Sequence, residues 1–347
     1  MAKLAIVGAS GKLGGATVSA LLTHKLAVPS DVIALTSSSP DSEKWTKLAA
    51  TGVPVRHARF EDPATFERAL EGVDRLLLVS TPHITLDFGA PMDYDGIHAD
   101  PSGARVGGPG RETHHEVAID AAVKAGVKWI VYSSLAFGSS GGRATDKSKA
   151  GVMRAHLRTE AYLRAVSAKH GLRITILREG LYNESWPLYL GYFDAAHAGG
   201  ERDVVPLAGD GRISWTAIPD LGVANALVLS SGSDSVSGIA SDEFFGETFY
   251  LSTRPETAKT MAEVAQLVGE ARGRSVQVKI VGRKEHERYY VEDRGNPAPA
   301  IEWWASTYDA LEDGECLIDD TLLEKLLGHV GMTPIPIEET IAAMVKV

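Results

Sequence analysis

The chain contains one cysteine, Cys316, in 347 residues. A lone thiol excludes a disulfide framework within the chain and any Cys₄ or Cys₂His₂ zinc site. The scarcity of cysteine fits a reducing compartment. Its neighbours in Asp313-Gly314-Glu315-Cys316 are acidic and raise a thiol's pKa, so Cys316 reads as structural. Positive charge is also short: 35 Lys and Arg stand against 45 Asp and Glu, a net charge of −10. Such a surface repels phosphate backbones, so neither a nucleic-acid nor a membrane partner is expected. Apolar runs of the roughly 18 residues that a membrane span needs are missing. The first strand follows Met1-Ala2-Lys3 at once, leaving no signal peptide, and the expected location is cytoplasmic.

What is present is an ordinary globular composition, 44% hydrophobic and 23% charged, over about two domains' length. Leu4-Ala5-Ile6-Val7 ends in Gly8, as a strand buried on both faces reads. A helical pattern follows over 13–26. Further strands are expected at 31–36, 53–56, 75–79, 128–132 and 172–178. Helices are expected at 65–70, 112–125 (stopped by Gly126) and 151–170 (stopped by Gly171). This alternation predicts an α/β fold, a Rossmann-type doubly wound parallel sheet over residues 1–180. Residues 213–252 are expected to pack back onto it. Residues 181–212 and 253–347 then form a smaller substrate lobe, with helices at 257–272, 320–327 and 337–344. The stretch 83–110 has no period and reads as a lid over the ligand edge or as a disordered insertion.

The turn Gly8-Ala9-Ser10-Gly11-Lys12-Leu13-Gly14 carries the clearest chemistry. It leaves a strand and opens a helix, so backbone approaches a pyrophosphate and free N–H groups point at the anion. NAD sites place an acid at the end of the second strand. Here the residues are Thr36-Ser37-Ser38-Ser39, so NADP is expected ahead of NAD. Arg59 and Lys44 are candidate charge partners for a 2′-phosphate. Asp62 is a candidate adenine contact or the cap of the helix after it.

Taken with Ala69-Leu70-Glu71-Gly72-Val73-Asp74-Arg75, Ala125-Gly126-Val127-Lys128, Tyr132-Ser133-Ser134, His156-Leu157-Arg158-Thr159-Glu160, Arg178-Glu179-Gly180-Leu181-Tyr182 and Ala208-Gly209-Asp210-Gly211, the turn makes the chain resemble the NmrA-like family. These are atypical short-chain dehydrogenase/reductases, and the resemblance is closest to the NAD(P)H:quinone oxidoreductase branch. It implies a cofactor path along Gly8, Ser10, Gly11, Lys12, Leu13 and Gly14, then Ser37, Arg59, Phe60 and Asp62. The path continues over Ser80, Thr81, Pro82, Ser133, His156, Leu181 and Tyr182. Ser37 stands where relatives carry the arginine of the 2′-phosphate site, and Arg59 where they often carry an acid.

In the wider superfamily a Tyr donates the proton and a Lys four residues on supports it. Aligning Glu160 puts His156 at the Lys position and Val152 at the Tyr position, so the usual acid is missing. Ser134 and His156 remain as catalytic candidates, the alternative being that His156 is a helix-face histidine paired with Glu160 one turn on. A quinone tolerates such a site, because its reduced oxygens take protons from water. Trp186, Tyr189, Tyr192, Phe193, Trp303 and Trp304 are either a pocket for a flat apolar substrate or core. His83, His98, His114 and His115 have no ligand spacing, and no metal is expected. Two functions stay open: NADPH-dependent reduction of a quinone-like electrophile, or a dinucleotide sensor acting on a protein partner.

Overall fold

Apolar runs bounded by turn residues become strands buried on both faces, as a parallel sheet requires. The computed structural model describes residues 2–88, 110–140, 143–232 and 238–346. The strands are β1 (Leu4–Ile6), β2 (Val32–Thr36), β3 (Val55–His57), β4 (Arg75–Val79), β5 (Trp129–Leu135), β6 (Ser139–Ser140), β7 (Arg143–Ala144), β8 (Arg173–Glu179), β9 (Val204–Leu207), β10 (Thr248–Leu251) and β11 (Gln277–Ile280). The helices are α1 (Lys12–Thr23), α2 (Thr46–Ala49), α3 (Pro63–Ala69), α4 (Glu112–Ala125), α5 (Gly151–His170), α6 (Trp186–Tyr189), α7 (Ile218–Ser230), α8 (Met261–Arg272), α9 (Arg283–Arg288), α10 (Ala298–Glu312), α11 (Leu322–Gly328) and α12 (Ile337–Met344).

Seven strands form one sheet in the order β10-β8-β5-β4-β1-β2-β3. Every pairing in it is parallel. The fold is therefore the α/β Rossmann type expected. The order runs outward in both directions from β1 and β4, and the crevice beyond their carboxyl ends is where such sheets hold ligands. On one face, α1, α7 and α11 bury Leu13, Leu21, Leu221, Leu227 and Leu326 against the sheet. On the other, α3, α4 and α5 bury Phe66, Ala118, Ile119 and Leu163. A separate cluster joins α5, α6, α8, α10 and α12 around Trp186, Trp215, Trp303 and Trp304. The small parallel pair β9–β11 stands outside the main sheet. Among the described residues no helix is long and apolar enough to cross a membrane.

α4 and α5 end where the sequence said, with Gly126 at φ 76° and Gly171 at φ 67°. Residues 213–217 are not a strand; Ile213 makes a single bridge to Lys259, and α7 starts at Ile218. Most of the stretch 83–110 lies outside the described residues. Its first part holds one short helical turn, Ile84–Asp87.

Candidate functional site

The turn after β1 is built by backbone contact. Gly8 adopts φ +70°, and its carbonyl accepts the Gly11 N–H at 2.7 Å. A Cβ on Gly14 would sit 2.4 Å from that same carbonyl oxygen, so only glycine fits there. Gly11 is the N-cap of α1 and offers no side-chain cap, and no acid stands in the first turn. The helix therefore keeps free N–H groups, with the positive end of its dipole, at the mouth of a cleft.

That cleft encloses about 660 Å³ along the carboxyl ends of the strands. Of the residues expected on the cofactor path, Gly8, Ser10, Gly11, Lys12, Leu13, Gly14, Ser37, Arg59, Phe60, Ser80, Thr81, Pro82, Ser133, His156 and Tyr182 line it, and so does Ser134. Asp62 and Leu181 do not. Leu181 is buried with Trp186 and Trp215. Asp62 is exposed and makes no side-chain cap to α3. Instead Thr65 Oγ1 donates to the Asp62 carbonyl at 2.6 Å and accepts the Arg59 N–H at 2.8 Å.

At the end nearest β2, Ser38 is tied down by Thr36 Oγ1 at 2.9 Å and by Trp45 Nε1 at 3.1 Å. Ser37 is left exposed on the cleft wall. Arg59 is half exposed, and its nearest acid is Glu61 at 3.7 Å. Lys44 lies over the Trp45 ring and does not line the cleft.

At the other end, the hydrogen bonds fix the state of the floor. His115 Nε2 accepts the Thr81 N–H at 3.2 Å, so its proton is on Nδ1, facing Thr159 Oγ1 at 2.7 Å. Thr159 in turn donates to the Ala155 carbonyl. The Tyr132 hydroxyl is then free to donate to His156 Nδ1 at 2.9 Å. With Tyr132 donating, the His156 proton is on Nε2, which has no protein partner among the described residues. Burial, and then the Arg111 cation, hold both imidazoles well below their ordinary pKa, so both are neutral. The hydrogen-bond partner of His156 is Tyr132, not Glu160 as the alternative reading supposed.

Glu160 belongs to a buried network. It takes two bonds from Arg178, Nε at 2.9 Å and Nη2 at 2.8 Å, and accepts the Ser134 hydroxyl at 2.7 Å. Arg178 also holds the Gly138 and Thr145 carbonyls, fastening the chain beyond β5. Ser134 lines the cleft, but its proton is committed to Glu160. Val152 lines the cleft at the expected place.

Arg111 and Glu179 have no role in the sequence reading, which also does not bring Glu61, His83 and His114 together. Arg111 is only 4% exposed, paired with Asp87 at 2.7 Å and bonded to the Val152 carbonyl at 3.1 Å, yet lines the cleft. Glu179 accepts Ser133 Oγ at 2.9 Å, Tyr182 Oη at 3.1 Å and Asn225 Nδ2 at 2.7 Å. Burial pushes its carboxyl up to about 7 against these bonds. Burial and the neighbouring Glu179 raise Tyr182, which stays neutral. Glu61, His83 and His114 also come together, from positions with no motif spacing. By contrast, Trp186, Tyr189, Phe193, Trp303 and Trp304 are core, and none of the six aromatics proposed for a pocket lines the cleft. Cys316 is buried in the same cluster, its thiol raised by burial.

Known proteins place this architecture. The NmrA-like family model matches residues 1–201. An NmrA-like family domain-containing oxidoreductase, flvB, of Aspergillus flavus is 30% identical over 331 residues, covering 95% of this chain and 91% of that protein. Quinone oxidoreductase 2 of Escherichia coli is 28% identical, covering 95% of each chain. The crystal structure of the E. coli NADPH-dependent quinone oxidoreductase with NADPH superposes with a TM-score of 0.73 at 26% identity, covering 98% of this chain and 99% of that one. Citrobacter sp. triphenylmethane reductase with NADP(H) gives a TM-score of 0.72 at 27% identity, covering 99% of this chain and 100% of that one. The glycine turn, the strand order and these matches across nearly the whole length agree: the chain belongs to the NmrA-like family.

Proposed function

We propose that this protein is an NADPH-dependent reductase of quinones or similarly flat, apolar electrophiles. The observation that carries the reading is the continuous cleft, which runs from the uncapped amino end of α1 to the neutral His156 and Tyr182 side chains. The glycine turn fits a pyrophosphate, because its close approach leaves no side chain in the way. Ser37 and Arg59 suit a 2′-phosphate, with no acid at the end of β2 to repel it. NADPH bound along this path supplies a hydride at the far end.

The chain's own residues then have restricted tasks. Leu135, Val152 and Ile84 offer apolar walls to a flat ring. His156 donates a hydrogen bond through Nε2 to an oxygen gaining charge, as oxyanion stabilisers do. Tyr182 also lines the cleft, its hydroxyl donated to Glu179, so it offers a wall and not a second donor. Ser134 positions Glu160 and does not act on substrate.

Assay with NADPH and a panel of quinones and triarylmethane dyes tests the proposal. Acceptor-dependent loss of the nicotinamide absorbance is expected. A second reading, an NADP(H)-responsive regulatory protein, is favoured by Val152 and by the committed Ser134 hydroxyl. Intact NADPH binding with no turnover on any acceptor would select it.

A further inference from the structure

At the rim of the cleft, three ligand-bearing side chains converge from three elements. Glu61 follows β3, His83 follows β4, and His114 lies in the first turn of α4. One ligand atom from each lies within 4.8 Å of the others. His83 Nε2 and Glu61 Oε1 are already 3.5 Å apart. Ligands about 2.1 Å from a tetrahedral ion stand roughly 3.4 Å from one another. The Glu61 and His83 side chains are 45% and 48% exposed, so rotation about their own bonds can close the remaining gaps.

The surroundings orient the set. The His114 ring stacks on Phe60, with centroids 5.3 Å apart and planes within 5°. Its Nδ1 faces Thr81 Oγ1 at 3.3 Å, which leaves Nε2 as the ligating nitrogen. The same hydroxyl accepts the His83 N–H at 3.4 Å, so one side chain steadies both histidines. Supporting hydrogen bonds of this kind accompany metal-bound imidazoles.

We propose that Glu61, His83 and His114 form a binding site for a first-row divalent cation of the Zn²⁺ class. Two imidazoles and one carboxylate with an open position are the donor set such ions take, while Mg²⁺ and Ca²⁺ prefer all-oxygen sites. His83 and His114 flank the 84–113 stretch, so a bound ion ties its two ends together. Phe60, Glu61 and His83 also line the cleft, so the ion sits at its edge.

Calorimetric titration of the chelator-stripped full chain with ZnCl₂ tests the site. Binding that saturates at one equivalent is expected. His83→Ala and His114→Ala should each weaken it by at least roughly tenfold, and Thr81→Val by a smaller factor. CoCl₂ should develop visible ligand-field bands in the wild type that vanish in His114→Ala. The melting temperature of His83→Ala without metal should match the wild type, since that side chain is 48% exposed. Absence of saturable binding, or binding and Co²⁺ bands that survive both histidine substitutions, would overturn the proposal.

Discussion

Arg59 stands on the cleft wall, and Glu179 is buried behind it. Arg59 lines the cleft with Ser37, and its ion-pair partner Glu61 is at 3.7 Å, too far for a firm exposed pair. Arg59→Ala should therefore weaken NADPH binding and leave NADH binding nearly unchanged. Fluorescence titrations of both nucleotides give the ratio, and an unaltered ratio would remove Arg59 from the 2′-phosphate site. Glu179 carries a pH signature. Its ordinary carboxyl value is 4.5 and its folded value about 7, so the native state holds this proton more tightly. Stability from this group is intact below pH 4.5 and is lost as pH rises towards 7, by about 3 kcal/mol. Glu179→Gln has no such proton to lose. Its stability relative to wild type should improve by roughly 2 to 3 kcal/mol between pH 5 and pH 8, read from urea midpoints. Parallel curves would contradict the buried, proton-holding carboxyl. Neither the value of Glu179 nor the neutrality of His156 was legible in the sequence, because both come from burial and partners far apart in the chain. Asn225 and Ser133 reach Glu179 from positions 46 residues away on either side.

At the scale of elements, legibility follows locality. The β1 turn, α4 and α5 were readable because their signals are adjacent in sequence: an apolar run, glycines at fixed offsets, a terminal glycine. The β9–β11 pair was not, because Val204–Leu207 and Gln277–Ile280 meet across about 70 intervening residues and expose much of their surface. α10 was hidden by its start at Ala298-Pro299, where proline is tolerated only because it falls in the first turn. Its tryptophans then read as pocket aromatics, although they pack into the cluster between α5 and α8. The turn into α1 is exposed to a single change. Gly14→Ala forces a Cβ against the Gly8 carbonyl at 2.4 Å, and that contact is backbone, which cannot swing aside. The substitution should lower stability by about 1–3 kcal/mol and abolish NADPH binding. Thermal melts with and without NADPH check both, since the wild type should gain melting temperature on adding nucleotide and the variant should not. Equal gains would mean that the pyrophosphate does not rest on this turn.

Across the whole molecule, one seven-stranded sheet with a core on each face supports a cleft at its switch point, and a third core built from α5, α6, α8, α10 and α12 stands beside it. The scaffold fixes the donors in place: Arg178 and Glu160 lock the segment after β5, while Tyr132 and His115 hold His156 from beneath. Charge at this scale is net negative, so attraction of the nucleotide depends on local groups, the α1 terminus, Lys12 and Arg59, and should weaken as salt rises. The central claim is that this scaffold delivers reducing equivalents from NADPH directly to a flat acceptor seated against Val152 and His156. Single-turnover mixing of the protein–NADPH complex with excess quinone tests it most directly. The account predicts one exponential in which nicotinamide absorbance falls as hydroquinone appears, slowed when the transferred hydrogen is deuterium and slowed further in His156→Ala. NADPH that stays bound and unoxidised before every quinone offered would contradict it.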